Sequence, residues 1–497
     1  MLYEKDLPIK KHKKITARVG DFSKGFDYDM DVSKSCISPK LSYNFHFENG
    51  ALVSGCGVRD IRLAEEETDQ EFRRILNNPY SVKFLGAWLY NYYNETYNKF
   101  QKKVVLYGDD NNIYYFRLLG FDNLIYKLYD ESLNSLPEAI HYNINNKDLM
   151  LFSSKDDNLL VWHSDSDPYV VNDVPKFRSI CMHNSRLFAI VEGPGNKILY
   201  SDNTDPTSWP GVVDSTIGVI EFPDEQRGKP NKILSFLDDL YVIRDFGISK
   251  ITYFSKTNSY QITQLFISGG NIYKDTVCVC NDKIYMLASD GVYVFDGNDT
   301  VKLDLKINKL FSRFNTNSKA CFFEGKYYVA CRLDYENKFV LGDEDEGINN
   351  SLIAIDVLSG EISITRGIDI AWLLPITEGC FSKLLVCLNG ENGDRVCELS
   401  KDGLFFDDVL PKFWEIRFSD MGVLKNTKLI RQIYIDSESD CVLMVKCDDF
   451  EKEYFVEGSL KQNRINIMKK ADKFSLVIKS SVDINKIKAL EVVYDLV

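Results

Sequence analysis

Residues 179–190 read SICMHNSRLFAI, which is a strand, a polar tight turn and a second strand. The same shape returns at 233–244 (ILSFLDDLYVIR), 276–287 (TVCVCNDKIYML) and 319–330 (KACFFEGKYYVA). The turn pairs are residue types that tolerate turn geometry: Asn184-Ser185, Asp238-Asp239, Asn281-Asp282 and Glu324-Gly325. Apolar residues stand on both faces of these hairpins. This pattern is typical of inner strands of a propeller blade that packs between two neighbours.

Weaker relatives of this hairpin occur at 111–118, 148–154 and 382–388. Their spacing fits four-stranded blades of roughly 40–50 residues, which predicts an all-β fold built on a β-propeller of six to eight blades. A long β-sandwich array or a β-helix is the alternative. The ring is favoured because the hairpins recur regularly without a Pro-rich or Gly/Ser-rich linker, and because closure removes exposed sheet edges.

The pattern of apolar residues and turns changes on both sides of the predicted propeller. We expect an extended N-terminal arm or edge strands over 1–60, the β-propeller over 61–410 and an appended C-terminal β-sandwich over 411–497. The segment AEEETDQEFRRIL, at 64–76, has acids early and arginines late, which favours one surface helix or an extended linker.

Composition limits the classes of function. The chain has 497 residues and a net charge of -13, so a basic face that grips nucleic-acid phosphates is not expected. Contact with DNA in a channel would then be passive. No apolar run reaches the roughly 20 residues that span a bilayer, and the first residues lack the apolar core of a secretion signal. We therefore expect no membrane span and synthesis in the cytoplasm, with the 12 cysteines reduced.

Motifs that carry catalytic or metal chemistry are missing from the sequence. The five histidines stand at no ligand spacing: His12, His46, His141, His163 and His183. Cys278 and Cys280 share one face of a strand, and a buried apolar pair is favoured there over a metal or disulfide site. Neither a phosphate loop nor a G-x-S-x-G elbow occurs. We predict no enzyme activity, no catalytic residue, no cofactor and no metal.

Two acidic loops and one basic run are candidate ligand sites. The loops are Gly108 to Asn112 and Gly342 to Gly347, and solvated turn tips are favoured over calcium sites because neither loop has the spacing of a helix–loop–helix site. The basic run, Lys10 to Lys14, favours a solvated tail over contact with DNA or an acidic partner.

One stretch carries a resemblance to a known family. Residues 186–210 read RLFAIVEGPGNKILYSDNTDPTSWP. A strand ending in LYSD and followed by DPTSW resembles a phrase of propeller proteins in tailed-phage virions. There Asp205-Pro206 would set a turn and Trp209 would cover the end of a blade core. The likeness continues over 219–251 and 287–297, and in FWEIRFSD and KLIRQIYID of the C-terminal part.

The family resembled is the tail nozzle or hub proteins of short-tailed phages, including those called packaged-DNA stabilisation proteins. The resemblance implies a structural virion protein of the tail that forms a homo-oligomeric ring, extends the DNA channel, helps retain packaged DNA and takes part in ejection. Its partners would be further copies of itself and adaptor, fibre or receptor-binding tail proteins. The N-terminal arm would be an inter-subunit contact. Two alternatives stay open: a carbohydrate-binding or cell-surface-recognition propeller, and a propeller glycosidase with a carboxylate pair.

Overall fold

The computed structural model describes most of the chain. The described residues are 14–20, 22, 37–64, 71–74, 76–94, 98–118, 123–129, 133–144, 147–163, 166–172, 174–193, 195–202, 205–209, 218–223, 226–254, 259–312, 314–336, 348–378, 381–390, 394–406, 408–418, 427–447, 450–458, 462–483 and 485–496.

Seven antiparallel sheets form the blades of a β-propeller, numbered here along the chain from the inner to the outer strand. Blade 1 has Phe84–Asn94, Lys99–Gly108, Ile113–Arg117 and Tyr126–Tyr129. Blade 2 has Glu138–Ile144, Lys147–Ser153, Leu159–His163 and Tyr169–Val171. Blade 3 has Phe177–His183, Arg186–Val191, Lys197–Tyr200 and Val219–Glu221. Blade 4 has Pro230–Phe236, Asp239–Arg244, Gly247–Phe254 and Ser259–Ile267.

The remaining blades follow the same order. Blade 5 has Cys278–Cys280, Lys283–Ala288, Gly291–Phe295 and Thr300–Lys302. Blade 6 has Lys319–Phe323, Lys326–Cys331, Ser351–Asp356 and Ile362–Arg366. Blade 7 has Ile370–Glu378, Phe381–Leu388, Arg395–Ser400 and Gly57–Arg59, extended by Leu404–Phe405 and Asp408–Val409. Two 3-10 helices, Lys274–Thr276 and Asn308–Leu310, precede blades 5 and 6.

An apolar core lies between each pair of neighbouring blades, including blades 7 and 1. In blade 1, Val104 and Leu106 face the core shared with blade 7, whereas Val105 and Tyr107 face blade 2. Successive residues of a strand point to opposite sides, so a strand packed between two blades must be apolar at every position. This is why the inner hairpins show continuous apolar runs. The prediction of a β-propeller with six to eight blades is confirmed, with seven blades in a closed ring.

The blade hairpins turn close to where the sequence places them. Asn184-Ser185, Asn281-Asp282 and Glu324-Gly325 connect strands that end and begin on either side of them. In blade 4 the turn pair is Leu237-Asp238, because Asp239 pairs with Phe236. Both turn residues have positive φ, 47° for Leu237 and 61° for Asp238. The right-handed twist of the two strands selects this turn geometry even with a leucine in it.

The segment expected as a helix or linker contains a strand pair. Ile61–Ala64 pairs with Glu71–Arg74, while residues 65–70 lie outside the described ranges. The helix prediction is therefore wrong for these strands. The segment carries apolar residues mainly at its ends, so it offers no stripe of helical period that packing could stabilise.

Two sheets form the β-sandwich. One contains Ile37–Tyr43, Lys412–Phe418, Phe474–Ser480, Cys441–Cys447 and Phe450–Val456, in that spatial order. The other orders Phe45–Glu48, Ala51–Ser54, Lys486–Leu496, Lys428–Ser437 and Asn463–Ala471, and Lys14–Val19 pairs with Lys486–Leu496. Between them lies a core that includes Leu52 from the N-terminal part and Trp414 from the C-terminal part. Residues 14–19 and 37–54, placed in the expected N-terminal arm, thus contribute four strands to the sandwich.

The sandwich packs against blades 5 and 6 through one face of its first sheet. Tyr43, Phe413 and Met444 lie in the same apolar core as Tyr327 of blade 6. The rings of Tyr43 and Phe413 are stacked with centroids 5.0 Å apart. Because Trp414 points the other way, into the sandwich core, strand Lys412–Phe418 is buried on both sides. The sandwich and the propeller therefore share a continuous apolar interface.

Candidate functional site

The propeller axis contains a cavity of about 370 Å³, lined by residues of six blades and by Asp275 of the 3-10 helix that precedes blade 5. Trp88 and Trp372 line it together with the charged residues Glu138, Lys232 and Lys319. Glu138, Lys232 and Lys319 lie on the innermost strands of blades 2, 4 and 6, which are the strands that surround the axis. A cavity of this volume has the size of a small-molecule site. It does not admit a DNA duplex.

The charged groups of the axis are paired with one another across blades. Lys319 Nζ lies 2.6 Å from Asp275 Oδ2. Glu138 accepts hydrogen bonds from Ser179 Oγ at 2.8 Å and from the Ile180 backbone N–H at 3.2 Å. Lys232 Nζ donates to the backbone carbonyl oxygen of Lys274, 3.3 Å away. These contacts join blade 2 to blade 3, and they join the 3-10 helix before blade 5 to blades 4 and 6.

The lysines also decide the charge state of Asp275. Burial opposes ionisation of this carboxyl, but Lys319, Lys274 and Lys232 outweigh that effect and hold its pKa below the usual range. Asp275 is therefore ionised at neutral pH. The charged groups of the axis therefore pair with one another or with nearby polar groups, and these contacts connect neighbouring blades at the centre of the ring.

The histidines singled out in the sequence lie apart. His46 Nδ1 is 2.7 Å from the Ser54 carbonyl oxygen in the sandwich, and His141 Nε2 is 3.2 Å from Asp148 Oδ1 in blade 2. His163 ends a strand of blade 2, and His183 ends one of blade 3. His12 lies outside the described residues. Within the described part of the chain, no group of three or more His, Cys, Asp or Glu side chains could hold a metal ion.

Cys278 and Cys280 belong to the apolar core between blades 5 and 6. Cys280 is fully buried and Cys278 packs against the same core, and both thiols are free. Cys280 Sγ contacts the Cys278 carbonyl oxygen at 3.7 Å. The hydrogen bond to Cys278, together with burial, raises the pKa of Cys280 well above its usual range. Such a thiol stays protonated and behaves as a small hydrophobe.

The acidic loop at 108–112 is satisfied by its own neighbours. Asp110 accepts hydrogen bonds from the Tyr114 hydroxyl at 2.5 Å and from Asn112 Nδ2 at 2.8 Å. Burial raises the pKa of Asp110, but these bonds outweigh it and the pKa lies below its usual value. The carboxylate oxygens of Asp110 therefore accept hydrogen bonds from residues of the loop and of the strand that follows it. The second acidic loop, 342–347, and residues 10–13 of the basic run lie outside the described residues.

The Asp205-Pro206 phrase forms the turn expected of it. Asp205 Oδ1 accepts a hydrogen bond from the Thr207 backbone N–H at 2.8 Å, and the Ser208 N–H donates to the Asp205 carbonyl oxygen at 3.2 Å. Trp209 packs on the core between blades 2 and 3, with its ring centroid 4.4 Å from that of Phe177. The tryptophan thus covers the edge of that inter-blade core.

An exposed sheet edge of the sandwich was missed in the sequence. Strand Phe450–Val456 pairs only with Cys441–Cys447 among the described residues, and the propeller covers the other four strands of that sheet. Phe455 on this edge is 68% exposed. Glu451, Lys452 and Glu453 on this strand are exposed, and such charges oppose unspecific pairing of a sheet edge. Phe455 is the exposed apolar side chain beside them.

The fold defines the class of protein: an all-β chain in which a seven-bladed propeller is joined to a β-sandwich. No protein-family model and no curated protein matches the sequence. Among solved structures, the chain is similar to BBS1N in the crystal structure of its complex with ARL6DN, with a TM-score of 0.41 and 10% identity over 66% of this chain and 99% of that one. No described helix is long and apolar enough to cross a membrane.

Proposed function

We propose that the protein is a structural component of a tailed-phage virion, in which several copies form a ring at the tail hub or nozzle. The ring would extend the DNA channel, help retain packaged DNA and take part in its ejection. The observation that carries this proposal is the edge strand Phe450–Val456 with its exposed Phe455, on a sandwich that shares an apolar core with the propeller. The sequence phrases around Trp209 and in the C-terminal part support the choice of family.

Ring assembly needs two different surfaces that meet head to tail around an axis. The sheet edge supplies one such surface, because a rigid partner can add backbone hydrogen bonds there and bury Phe455. The channel would lie between the copies, since the axial cavity of a single propeller is only about 370 Å³. Adaptor, fibre or receptor-binding proteins of the tail would bind the assembled ring.

Electron microscopy and analytical ultracentrifugation of the purified full chain test the proposal. We expect closed rings for the wild type and monomers for Phe455→Asp, because the aspartate would bring an unpaired charge to the position where the contact buries Phe455. Leu358→Asp is the matched control: Leu358 is 92% exposed but lies on blade 6, so its substitution should leave the rings intact. A wild type that stays monomeric at every concentration would overturn ring assembly. Rings that survive Phe455→Asp would overturn the role of the edge.

A further inference from the structure

A cleft between blades 3 and 4 opens on the ring face that carries the turns of the inner hairpins. Its volume is about 300 Å³, and it is lined by aromatic and polar side chains that include Tyr200, Tyr253, Tyr260, Arg186 and Asn184. Concave sites with apolar walls and a few polar groups are the usual form of a small-ligand site. The assembly role proposed above makes no use of this cleft.

The aromatic wall of the cleft is continuous. The ring centroids of Tyr253 and Tyr260 are 5.1 Å apart, and those of Tyr260 and Tyr200 are 5.4 Å apart. Tyr253 stands at the mouth and is 51% exposed, whereas Tyr260 lies deeper. Burial raises the pKa of Tyr260 to about 12, so its hydroxyl stays neutral at physiological pH. The wall thus combines flat apolar faces with neutral hydroxyl groups.

Polar side chains adjoin the aromatic wall of the cleft. Arg186 places its guanidinium carbon 5.4 Å from the Tyr200 ring centroid. The exposed Asn184 lies in the blade 3 hairpin turn, and its Nδ2 is 3.0 Å from His183 Nε2. If that amide donates to Nε2, the other ring nitrogen carries the proton and donates to Ser235 Oγ, 2.8 Å away. Burial lowers the pKa of His183, so the ring is neutral at pH 7.

We propose that this cleft binds a carbohydrate. The apolar face of a sugar ring stacks on aromatic side chains, and its many hydroxyl groups need neutral donors and acceptors such as those of Asn184 and Tyr260. The positive charge of Arg186 disfavours a cationic ligand, which an all-aromatic cage would otherwise suit. The net charge of -13 disfavours a nucleic-acid strand, whose bases could also stack on tyrosines. A short segment of a neutral or acidic glycan fits both the wall and the polar side.

Saturation-transfer-difference NMR of the full chain tests the site, with the methyl glycosides of glucose, galactose, mannose, rhamnose and glucuronic acid and their trisaccharides as probes. We expect at least one probe to bind, with a Kd in about the millimolar range or tighter. Tyr253→Ala should weaken that binding at least about tenfold, since it removes the exposed stacking face. Tyr253→Phe should retain it. Tyr169→Ala is the matched control, because Tyr169 is also 51% exposed but lies on blade 2, outside the cleft.

Three outcomes would overturn the carbohydrate site. They are the absence of binding by every probe, equal binding by the wild type and Tyr253→Ala, and displacement of the bound sugar by oligothymidylate as the tighter ligand. Melting temperatures of the variants verify that the fold persists, and Arg186→Gln provides a second change on the polar side. Ring formation is measured separately, so failure of sugar binding leaves the assembly proposal standing and the reverse is also true.

Discussion

Asn44 is the residue whose replacement most directly tests how the sandwich is joined to the propeller. It is buried between the two parts and has a φ of 60°. Its side chain donates to the carbonyl oxygens of Arg366, at 3.1 Å, and Pro411, at 2.8 Å. Its Oδ1 accepts from the Arg366 backbone N–H at 2.8 Å. We expect Asn44→Gly to remove these three bonds while keeping the backbone conformation, because glycine adopts positive φ freely.

The magnitude follows from the groups left behind. Each lost hydrogen bond is worth about 1 kcal/mol net, and a buried group left without a partner costs about 1–3 kcal/mol. Three such bonds give a loss of roughly 3 kcal/mol or more in the free energy of unfolding. Asn44→Ala should lose about 1 kcal/mol more, since a residue with a Cβ is strained at this φ.

Urea unfolding followed by tryptophan fluorescence measures the effect. Asn49→Gly is the control, because Asn49 also has positive φ, 50°, but is exposed in a hairpin turn. The two substitutions change the unfolded chain alike, so their difference isolates the junction. A loss below about 1 kcal/mol for Asn44→Gly relative to the control would refute the view that these bonds hold the two parts together. Separate transitions in the variant would indicate that the parts have become uncoupled.

Two further substitutions probe ring closure and a buried charge. Gly57→Ala should lower the free energy of unfolding by more than about 2 kcal/mol, because a Cβ at this position would overlap the Leu404 backbone. Thermal unfolding measures the loss, and Gly20→Ala is the control because a Cβ there meets only the Arg18 side chain. Burial lowers the pKa of Lys412 to about 8 in the folded protein. Below that pH the charged lysine destabilises the folded state. This destabilisation decreases as the pH rises from about 8 toward the higher pKa that the lysine has in the unfolded chain. The stability advantage of Lys412→Met over the wild type should therefore shrink by roughly 1 kcal/mol between pH 7 and pH 9, and a constant advantage would contradict the lowered pKa.

Local patterns explain why the blades could be predicted. An inner hairpin is apolar on both faces and has its turn residues between its own strands. Twelve consecutive residues are therefore enough to identify both strands and the turn. The turn at Leu237-Asp238 differs from the predicted pair by one position. Its location is set by the pairing of Phe236 with Asp239, which a pattern of turn-forming residues does not specify.

Contacts between distant residues explain what could not be predicted. The outer strand of blade 7 is Gly57–Arg59, which pairs with Arg395–Ser400. Neither segment has a sequence pattern that identifies the other as its partner. The position of Phe455 at a sheet edge depends on strand order in the sandwich, although the consecutive charges of FEKEYFV are typical of an edge strand. The aromatic wall combines Tyr200 of blade 3 with Tyr253 and Tyr260 of blade 4, and two separate blades must meet before it exists.

The N-terminal strands belong to both the sandwich and the last blade of the propeller. Asn44 bonds to Arg366 across 322 positions of sequence, and Arg59 bonds to Glu398 across 339. Loop closure over such distances is entropically unfavourable until many contacts form together. The segment from 37 to 59 therefore has its full set of partners only after blades 6 and 7 and the C-terminal strands are in place. This segment joins blade 7 to the sandwich, because residues 37–54 form sandwich strands and Gly57–Arg59 forms the outer strand of blade 7.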